Sequence, residues 1–435
     1  MRRPALVAVL VLLLAASSAV AAGVPVTRRV LPNGMTVIVR EDPGVGVVAV
    51  SLQVRAGSKF ETESTAGITN FTQRMLMRGT QKRTALALAE AAEEFGGALE
   101  ASGEVESAEV RGAAVARQWE PLLALMAEVV LEPTFPAEEV ERERRLLLGQ
   151  LQTRADNPQP RAFDAALRDV YGAHPYAWPA LGRRESVAGF TRDAVVAHHR
   201  TIYRPDRMVL AVSGNVPRAG VLTAAERLFR RLPTGAGAPA ISDAAPAPRS
   251  ELRVMEGDVK QAQVFVGFLA PPVDHPDYAA VSVLATILGG GMSSRLFVEL
   301  RDRRGLAYSV GVVSTSRTGP ALFAPYLGTA PSSADAALAG VLAEVERVRT
   351  QPVEERELAR AKAYILGTLA MDRRTSARLA WYLAFYELIG AGWDWPERHT
   401  RAVESITAAD VARVAQRYLV TPTTVMLRPP KGAGQ

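Results

Sequence analysis

Apolar and polar residues follow two series of patterns along the chain, and each series combines strand-like with helix-like spacing. Val47 to Val54 alternates as a half-buried strand does, and Met208 to Ser213 is an apolar run typical of a buried strand. Pro136 stands at the first-turn position that suits the start of a helix. In the first half the pattern predicts strands at 35–40, 47–54 and 208–213, and helices at about 65–77, 85–95, 117–130 and 136–155.

The second half repeats this mixture of strands and helices. Its pattern predicts strands at 263–269, 308–316 and 322–329, and helices at about 278–288, 333–349 and 353–370. Residues 232–250 separate the two halves, because they are rich in Pro, Gly, Ala and Ser and lack apolar periodicity. We therefore predict a duplicated α+β architecture with a first domain at 23–231, a linker at 232–250 and a second domain at 251–430.

The first 22 residues have the pattern of a secretory signal peptide. Arg2 and Arg3 precede an apolar run, residues 5–16, that is too short to span a bilayer, and Ala19-Val20-Ala21 is a small-x-small cleavage site. Loss of this segment lowers the formal net charge from +6 to +4, because both arginines leave with it. We expect a periplasmic or secreted protein with no membrane span once the signal is removed.

Composition narrows the chemistry that the 435 residues can support. A hydrophobic fraction of 48% excludes a disordered chain, and the absence of cysteine excludes disulfides, thiolate metal sites and cysteine nucleophiles. The chain has five histidines, which leaves few candidates for an imidazole-based site. It has neither a basic tract nor a patch of interleaved basic and aromatic residues, so we expect no nucleic-acid partner.

The stretch GSKFETESTAGITNFTQRMLMRGT, residues 57–80, carries the most informative pattern. On a helix, Asn70, Gln73 and Arg74 share one face, because residues three and four apart are neighbours. A second stripe, which would pack into the core, contains Ile68, Phe71 and Met75. Taken alone, the polar face also suits a plain solvated helix.

This stretch resembles the motif region of the pitrilysin/insulinase family of zinc metallopeptidases, in which a helix carries HxxEH, followed a few residues on by GT. In that family two histidines and a later glutamate bind zinc, and the motif glutamate activates the metal-bound water. Here the motif positions are NFTQR, and Gln150 in ERERRLLLGQ falls at the later ligand. Carboxamides are poor zinc ligands and cannot act as a base, and an arginine repels a dication. The resemblance therefore implies a degenerate site without metal at Asn70, Gln73, Arg74 and Gln150.

The resemblance extends over essentially the whole mature chain. LPNGMTVIV at 31–39, the segment at 156–182 and YRPDRMVLAVSGNV at 203–216 are similar to family segments of the first domain. LGGGMSSRLFVELRDRRGLAYSV at 288–310 is similar to the family's C-terminal-domain signature. The resemblance implies two homologous domains, each a mostly antiparallel sheet with helices packed on it, that face each other across a cavity.

Arg301 and Tyr308 occupy the positions of a paired arginine and tyrosine in that family. The family pair reaches a zinc site from the C-terminal half. A tyrosine there can donate a hydrogen bond to a developing oxyanion, and an arginine can hold a carbonyl or carboxylate. From the residues alone, a structural arginine and a half-buried strand tyrosine are the alternative.

Gly97, Ala98, Leu99 and Glu100 form a candidate substrate-binding element. In the family the equivalent run enters an edge strand that pairs with an extended peptide through its backbone. Glu100 stands where the family usually has asparagine. Backbone pairing does not need a metal, so we expect this element to bind peptides even without a zinc site.

A lost zinc motif beside a kept Arg/Tyr pair is the pattern of the non-catalytic subunit in two-chain family members. The resemblance predicts a chain that is inactive alone, holds no zinc and assists an HxxEH-bearing homologous subunit, whose zinc acts on unfolded peptides within a heterodimer. A purely structural or peptide-binding scaffold, like the core proteins of respiratory cytochrome complexes, is the alternative. An autonomous peptidase of other chemistry has no Ser/His/Asp or paired-carboxylate arrangement to support it.

Overall fold

The computed structural model describes residues 24–235, 245–247 and 249–430. The predicted signal segment at 1–22 lies outside these residues, as does much of the predicted linker at 232–250. Of the helices within the described residues, none is long and apolar enough to cross a membrane.

Strands and helices occur where the sequence pattern predicts them, with bounds that agree within a few residues. The strands are β1 Val26–Val30, β2 Thr36–Glu41, β3 Val47–Val54, β4 Ala98–Gly103, β5 Ala108–Val115, β6 Met208–Gly214, β7 Glu251–Glu256, β8 Ala262–Ala270, β9 Ser309–Ser314, β10 Ala321–Thr329 and β11 Thr423–Arg428. The helices are α1 Ile68–Leu76, α2 Ala85–Glu94, α3 Trp119–Leu131, α4 Ala137–Asp156, α5 Pro158–Tyr171, α6 Arg184–Gly189, α7 Arg192–Ile202, α8 Arg218–Phe229, α9 Tyr278–Gly289, α10 Ala334–Thr350, α11 Glu355–Asp372, α12 Ser376–Leu388, α13 Trp395–Ser405 and α14 Ala408–Tyr418. A π-helical turn covers Phe297–Arg303.

The described residues form two sheets, one in each half of the chain. The first has six strands in the order β1-β2-β6-β3-β5-β4, and the second has five in the order β7-β11-β8-β10-β9. β2 pairs with β6, and β7 with β11, in parallel, whereas the other neighbours are antiparallel. The predicted α+β fold with two mostly antiparallel sheets is therefore confirmed.

The two faces of the first sheet have different partners, as the alternation along its strands requires. On β3, Val48, Val50 and Leu52 face a core that the helices of the first half complete. Ser51 and Gln53 point to the opposite face and are also buried. A sheet buried on both faces needs a second covering layer, which the first half does not supply.

One helix from each half packs against the sheet of the other half. Helix α12 lies across β3 and β6, where Leu383 and Leu388 join a cluster with Ile38 and Val209. Helix α5 lies in the corresponding way across β8 and β11. The two halves therefore share their packing, an arrangement that hydrophobic periodicity does not reveal because it shows only that a helix face is buried.

A buried carboxylate joins the halves at a second place. Glu106, 4% exposed, accepts a hydrogen bond from Thr318 N at 3.1 Å and another from the hydroxyl of Tyr176. Lys59 Nζ lies 3.3 Å from the same carboxylate, and its side chain is 6% exposed. The buried carboxylate of Glu106 thereby links the turn between β4 and β5 to the turn between β9 and β10.

Candidate functional site

Helix α1 begins at a point fixed by a glycine and a buried carboxylate. Gly67 has φ +94°, and a Cβ at this position would lie 2.6 Å from Cα of Gly182. Glu61 accepts hydrogen bonds from the backbone N–H groups of Gly67 at 2.7 Å and Thr69 at 2.8 Å, which a helix start leaves unpaired. Burial raises the pKa of Glu61, although these hydrogen bonds oppose the rise.

The rotation of α1 follows from its apolar stripe. Ile68, Phe71 and Met75 are 5%, 0% and 0% exposed, which confirms the predicted stripe. Phe71 also meets Phe190 edge to face at 5.6 Å between ring centroids. With this stripe in the core, Arg74 is directed toward helix α4.

The guanidinium of Arg74 lies where three of the predicted site residues converge. Its Nε donates to Asn70 Oδ1 at 2.8 Å, and its Nη2 donates to Gln150 Oε1 at 2.7 Å. Its Nη1 donates to Glu143 Oε1 at 2.9 Å. The guanidinium thus donates hydrogen bonds to two carboxamide oxygens and one carboxylate, and each of its three nitrogens takes part.

Glu143 is the residue of this cluster that the sequence interpretation does not single out. Its side chain is 2% exposed, and its second oxygen accepts from Arg78 Nη2 at 2.7 Å. Glu143 and Gln150 are seven residues apart on α4, which places them two turns apart on one face. That spacing is the sequence signal by which Glu143 could be found.

Gln73 does not share the environment of Asn70 and Arg74. It is fully buried, and its Nε2 donates to the hydroxyl of Tyr203 at 2.8 Å. Burial raises the pKa of Tyr203, so the hydroxyl stays protonated. This differs from the open polar face that the helix pattern predicts, because α7 and the residue after it pack along α1 and enclose Gln73.

Arg301 and Tyr308 lie at the two ends of a short segment before β9. Arg301 is on the π-helical turn, with its guanidinium 4.9 Å from the Phe297 ring centroid. Gly305, with φ +61°, reverses the chain between them, and Tyr308 N donates to Gly328 O at 2.8 Å. Tyr308 is 61% exposed. Neither functional group forms a hydrogen bond or ion pair with any residue that the structure describes, so both are open to an external group.

Strand β4 is an edge strand of the first sheet, and it begins within the predicted substrate element. A Cβ at Gly97 would lie 1.7 Å from Ala113 O, so only glycine allows the strand to approach β5 here. Leu99 faces the core at 7% exposure, and Glu100 pairs with Arg111 at 2.6 Å on the surface. At the far end of β4, Asn70 Nδ2 donates to Gly103 O at 3.1 Å, which links this edge to α1.

Comparison with known proteins places both halves in one family. The model described as Insulinase (Peptidase family M16) matches residues 36–183, and the model described as Peptidase M16 inactive domain matches residues 189–365. An uncharacterized zinc protease from Mycobacterium bovis is 30% identical over 402 residues, which cover 92% of either chain. The chain belongs to the insulinase family, peptidase family M16.

Further insulinase-family proteins show how far the similarity extends. An uncharacterized zinc protease from Rickettsia felis is 28% identical over 401 residues, which cover 91% of this chain and 95% of the relative. The crystal structure of a peptidase M16 inactive domain from Pseudomonas fluorescens superposes with a TM-score of 0.87 at 25% identity. It covers 93% of this chain and 98% of the solved one. The predicted family resemblance is therefore confirmed along most of the chain.

The zinc that the family motif implies does not fit the residues found here. The position where imidazoles would converge holds the guanidinium of Arg74, and the neighbouring oxygens of Asn70 and Gln150 already accept its hydrogen bonds. Among the described residues, no group of three or more His, Asp or Glu side chains could hold a metal ion. That the chain holds no zinc stays a prediction, which metal analysis can test.

The histidines nearest to α1 have structural partners. His198 Nε2 lies 3.0 Å from Thr69 Oγ1, and His199 Nε2 lies 2.9 Å from Val130 O. Burial lowers the pKa of His198 and of His199 to about 4, so both imidazoles are neutral at neutral pH. Each is committed to packing and one hydrogen bond, as the sequence interpretation expects.

Proposed function

We propose that this chain is the non-catalytic partner subunit of an exported insulinase-family zinc peptidase. In this proposal it acts in the periplasm or outside the cell and helps to bind and orient unfolded peptides for the zinc site of a homologous HxxEH-bearing chain. The observation that carries the proposal is the cluster around Arg74. A fixed positive charge, bonded to Asn70, Gln150 and Glu143, lies where the family motif would place a metal, which supports a chain that does not hydrolyse peptides by itself.

Arg301 and Tyr308 are the side chains that such a subunit would contribute to catalysis in its partner's site. The Tyr308 hydroxyl would donate a hydrogen bond to the oxyanion that forms during peptide hydrolysis in the partner's site. The Arg301 guanidinium would hold a peptide carbonyl or carboxylate. Their exposure and lack of hydrogen-bond partners among the described residues support this role, because a group committed inside its own chain cannot serve another.

Strand β4 would provide the surface that binds the peptide. Its outer edge has no paired strand among the described residues, and an extended peptide could add to it through backbone hydrogen bonds. Gly97 and the surface pair of Glu100 with Arg111 border the start of this edge, while Asn70 closes its far end at Gly103. A peptide bound here would run beside the degenerate site.

Reconstitution tests the proposal. The mature chain is co-expressed with an HxxEH homologue from the same genome, the complex is purified, and cleavage of a fluorogenic unstructured peptide is measured for each chain and for the complex. We expect no cleavage by this chain alone and faster cleavage by the complex than by the homologue alone. A stable complex whose activity equals that of the homologue alone would favour the scaffold alternative.

A further inference from the structure

A cleft of about 880 Å³ opens in the first half between the end of α3, helix α7 and the segment after α8. We call it the arginine cleft, because four arginines line it: Arg192, Arg200, Arg204 and Arg231. It is formed by residues other than those of the degenerate site, although Tyr203 lines it and bonds to Gln73. Nothing in the proposed peptidase role uses it.

One wall of the arginine cleft is held in an unusual backbone conformation. Phe135 has φ +48°, a region that bulky side chains rarely adopt. Arg192 fixes this turn, since its Nε donates to Phe135 O at 2.8 Å and its Nη2 donates to Thr134 O at 3.0 Å. The turn places the Phe135 ring 5.4 Å from the ring of His199. The wall is therefore formed before any ligand arrives.

The floor of the cleft is apolar and uncharged. The His199 ring lies 4.7 Å from the Tyr203 ring, and its Nε2 donates to Val130 O. Val196 is half-buried and adds accessible aliphatic surface beside the His199 ring, whereas Phe135 at 2% exposure and Leu232 at 7% form the packed base beneath it. An apolar chain of a ligand would find contacts here that water does not offer.

The rim of the cleft carries excess positive charge. Its one lining carboxylate, Glu132, is paired with Lys82 at 2.8 Å. Arg200 and Arg231 are exposed and form no hydrogen bond or ion pair with any described residue. Two uncommitted guanidiniums above an apolar floor favour a ligand with a single anionic head, because the planar fork of arginine matches a carboxylate.

We propose that the arginine cleft binds a single-chain amphiphilic carboxylate. Its chain lies on the half-buried Leu131, Val196 and His199, and its carboxylate is held between Arg200 and Arg231. The proposal does not depend on the peptidase role, since it uses none of the residues of that role.

Calorimetric titration of the purified mature chain tests this assignment. Sodium decanoate, kept below its micellar concentration, is expected to bind saturably with one site per chain. The variant with Arg200→Gln and Arg231→Gln should bind at least about tenfold more weakly, because it loses the charge-assisted hydrogen bonds to the head group. Arg142→Gln, which removes an exposed arginine on α4 away from the cleft, serves as the matched control and should bind as the wild type does.

Two further probes measure the contributions of the anionic head group and of the alkyl chain to the affinity separately. Acetate carries the anion without the chain, and decyl maltoside carries a chain without the anion, so each is expected to bind much more weakly than decanoate. The proposal is overturned by non-saturable decanoate binding, by equal affinity of the double variant and the wild type, or by acetate binding as tightly as decanoate. Circular dichroism of each variant confirms that a lost affinity is not a lost fold.

Discussion

Replacement of Arg74 by methionine tests whether the guanidinium has become a structural element in place of a metal site. Methionine keeps much of the length and apolar stem of the side chain but removes the charge and every donor. The variant leaves Glu143, 2% exposed, with Arg78 as its remaining cation at 2.7 Å. Asn70 and Gln150 lose their shared partner as well, although the environment of Gln150 is open to water.

The magnitude follows from the burial of the carboxylate. Removing one partner of a fully buried ion pair typically costs about 3–5 kcal/mol. The cost here is smaller, because Arg78 still pairs with Glu143 and the Arg74 side chain was itself 24% exposed. We therefore expect a loss of about 1–3 kcal/mol in the free energy of unfolding.

Urea denaturation of the mature chain, followed by far-ultraviolet circular dichroism, measures this loss. The matched control is Arg142→Met on α4, whose exposed pair with Glu139 should contribute less than about 0.5 kcal/mol. The double variant with Arg74→Met and Glu143→Met should recover part of the lost stability, because the buried carboxylate is gone and Arg78, 29% exposed, still lies 3.8 Å from Glu139. An Arg74→Met variant as stable as Arg142→Met would refute the role assigned to this guanidinium.

Further outcomes are expected for zinc binding, for the buried Glu106 and for His199. The wild-type chain should contain no stoichiometric zinc by elemental analysis, and calorimetry should show a gain of zinc affinity in the fourfold variant Asn70→His, Gln73→Glu, Arg74→His and Gln150→Glu. Glu106→Gln should lower the free energy of unfolding by about 2–4 kcal/mol in urea titrations, because a neutral amide replaces the buried carboxylate that lies 3.3 Å from Lys59 Nζ. Because the pKa of His199 falls from 6.5 to about 4 on folding, the unfolded chain binds the proton first, so stability should decline as pH falls through this range. His199→Gln should flatten that decline in urea titrations between pH 7 and 4.

Two zinc measurements would contradict the assignment of a degenerate site. Zinc at about one per wild-type chain, lost on substitution of Gln150, would mean that the site is still a metal site. Equal zinc affinity of the fourfold variant and the wild type would mean that the three ligand positions, Asn70, Arg74 and Gln150, do not surround one point. For Glu106→Gln, wild-type stability would show that the junction between the halves does not depend on the charge.

The sequence predicts the local structure around the site well, because short-range patterns decide it. The stripe of Ile68, Phe71 and Met75 sets the rotation of α1. Strand β3 has the bounds that its alternation predicts. In each case the deciding contacts are repeated along one element, so the pattern is visible in the chain itself.

The remaining features depend on contacts between distant parts of the chain. Gln73 is buried because Tyr203, 130 residues away, packs against α1 and offers a hydroxyl. The exchange of α5 and α12 between the sheets leaves no local trace, since a buried helix face looks the same whichever sheet covers it. The junction at Glu106 likewise needs the turn at Thr318, which sequence spacing does not bring near.

The turnover of the reconstituted complex with Tyr308→Phe shows whether this chain assists catalysis in a partner's site. Phenylalanine keeps the ring and removes only the hydroxyl that would donate to the oxyanion. Tyr364→Phe, which alters another exposed tyrosine, is the matched control at 50% exposure against 61% for Tyr308. We expect Tyr308→Phe to lower kcat by about a hundredfold in a complex that still assembles, and Tyr364→Phe to leave kcat unchanged. A fully assembled Tyr308→Phe complex with the wild-type kcat would contradict this role.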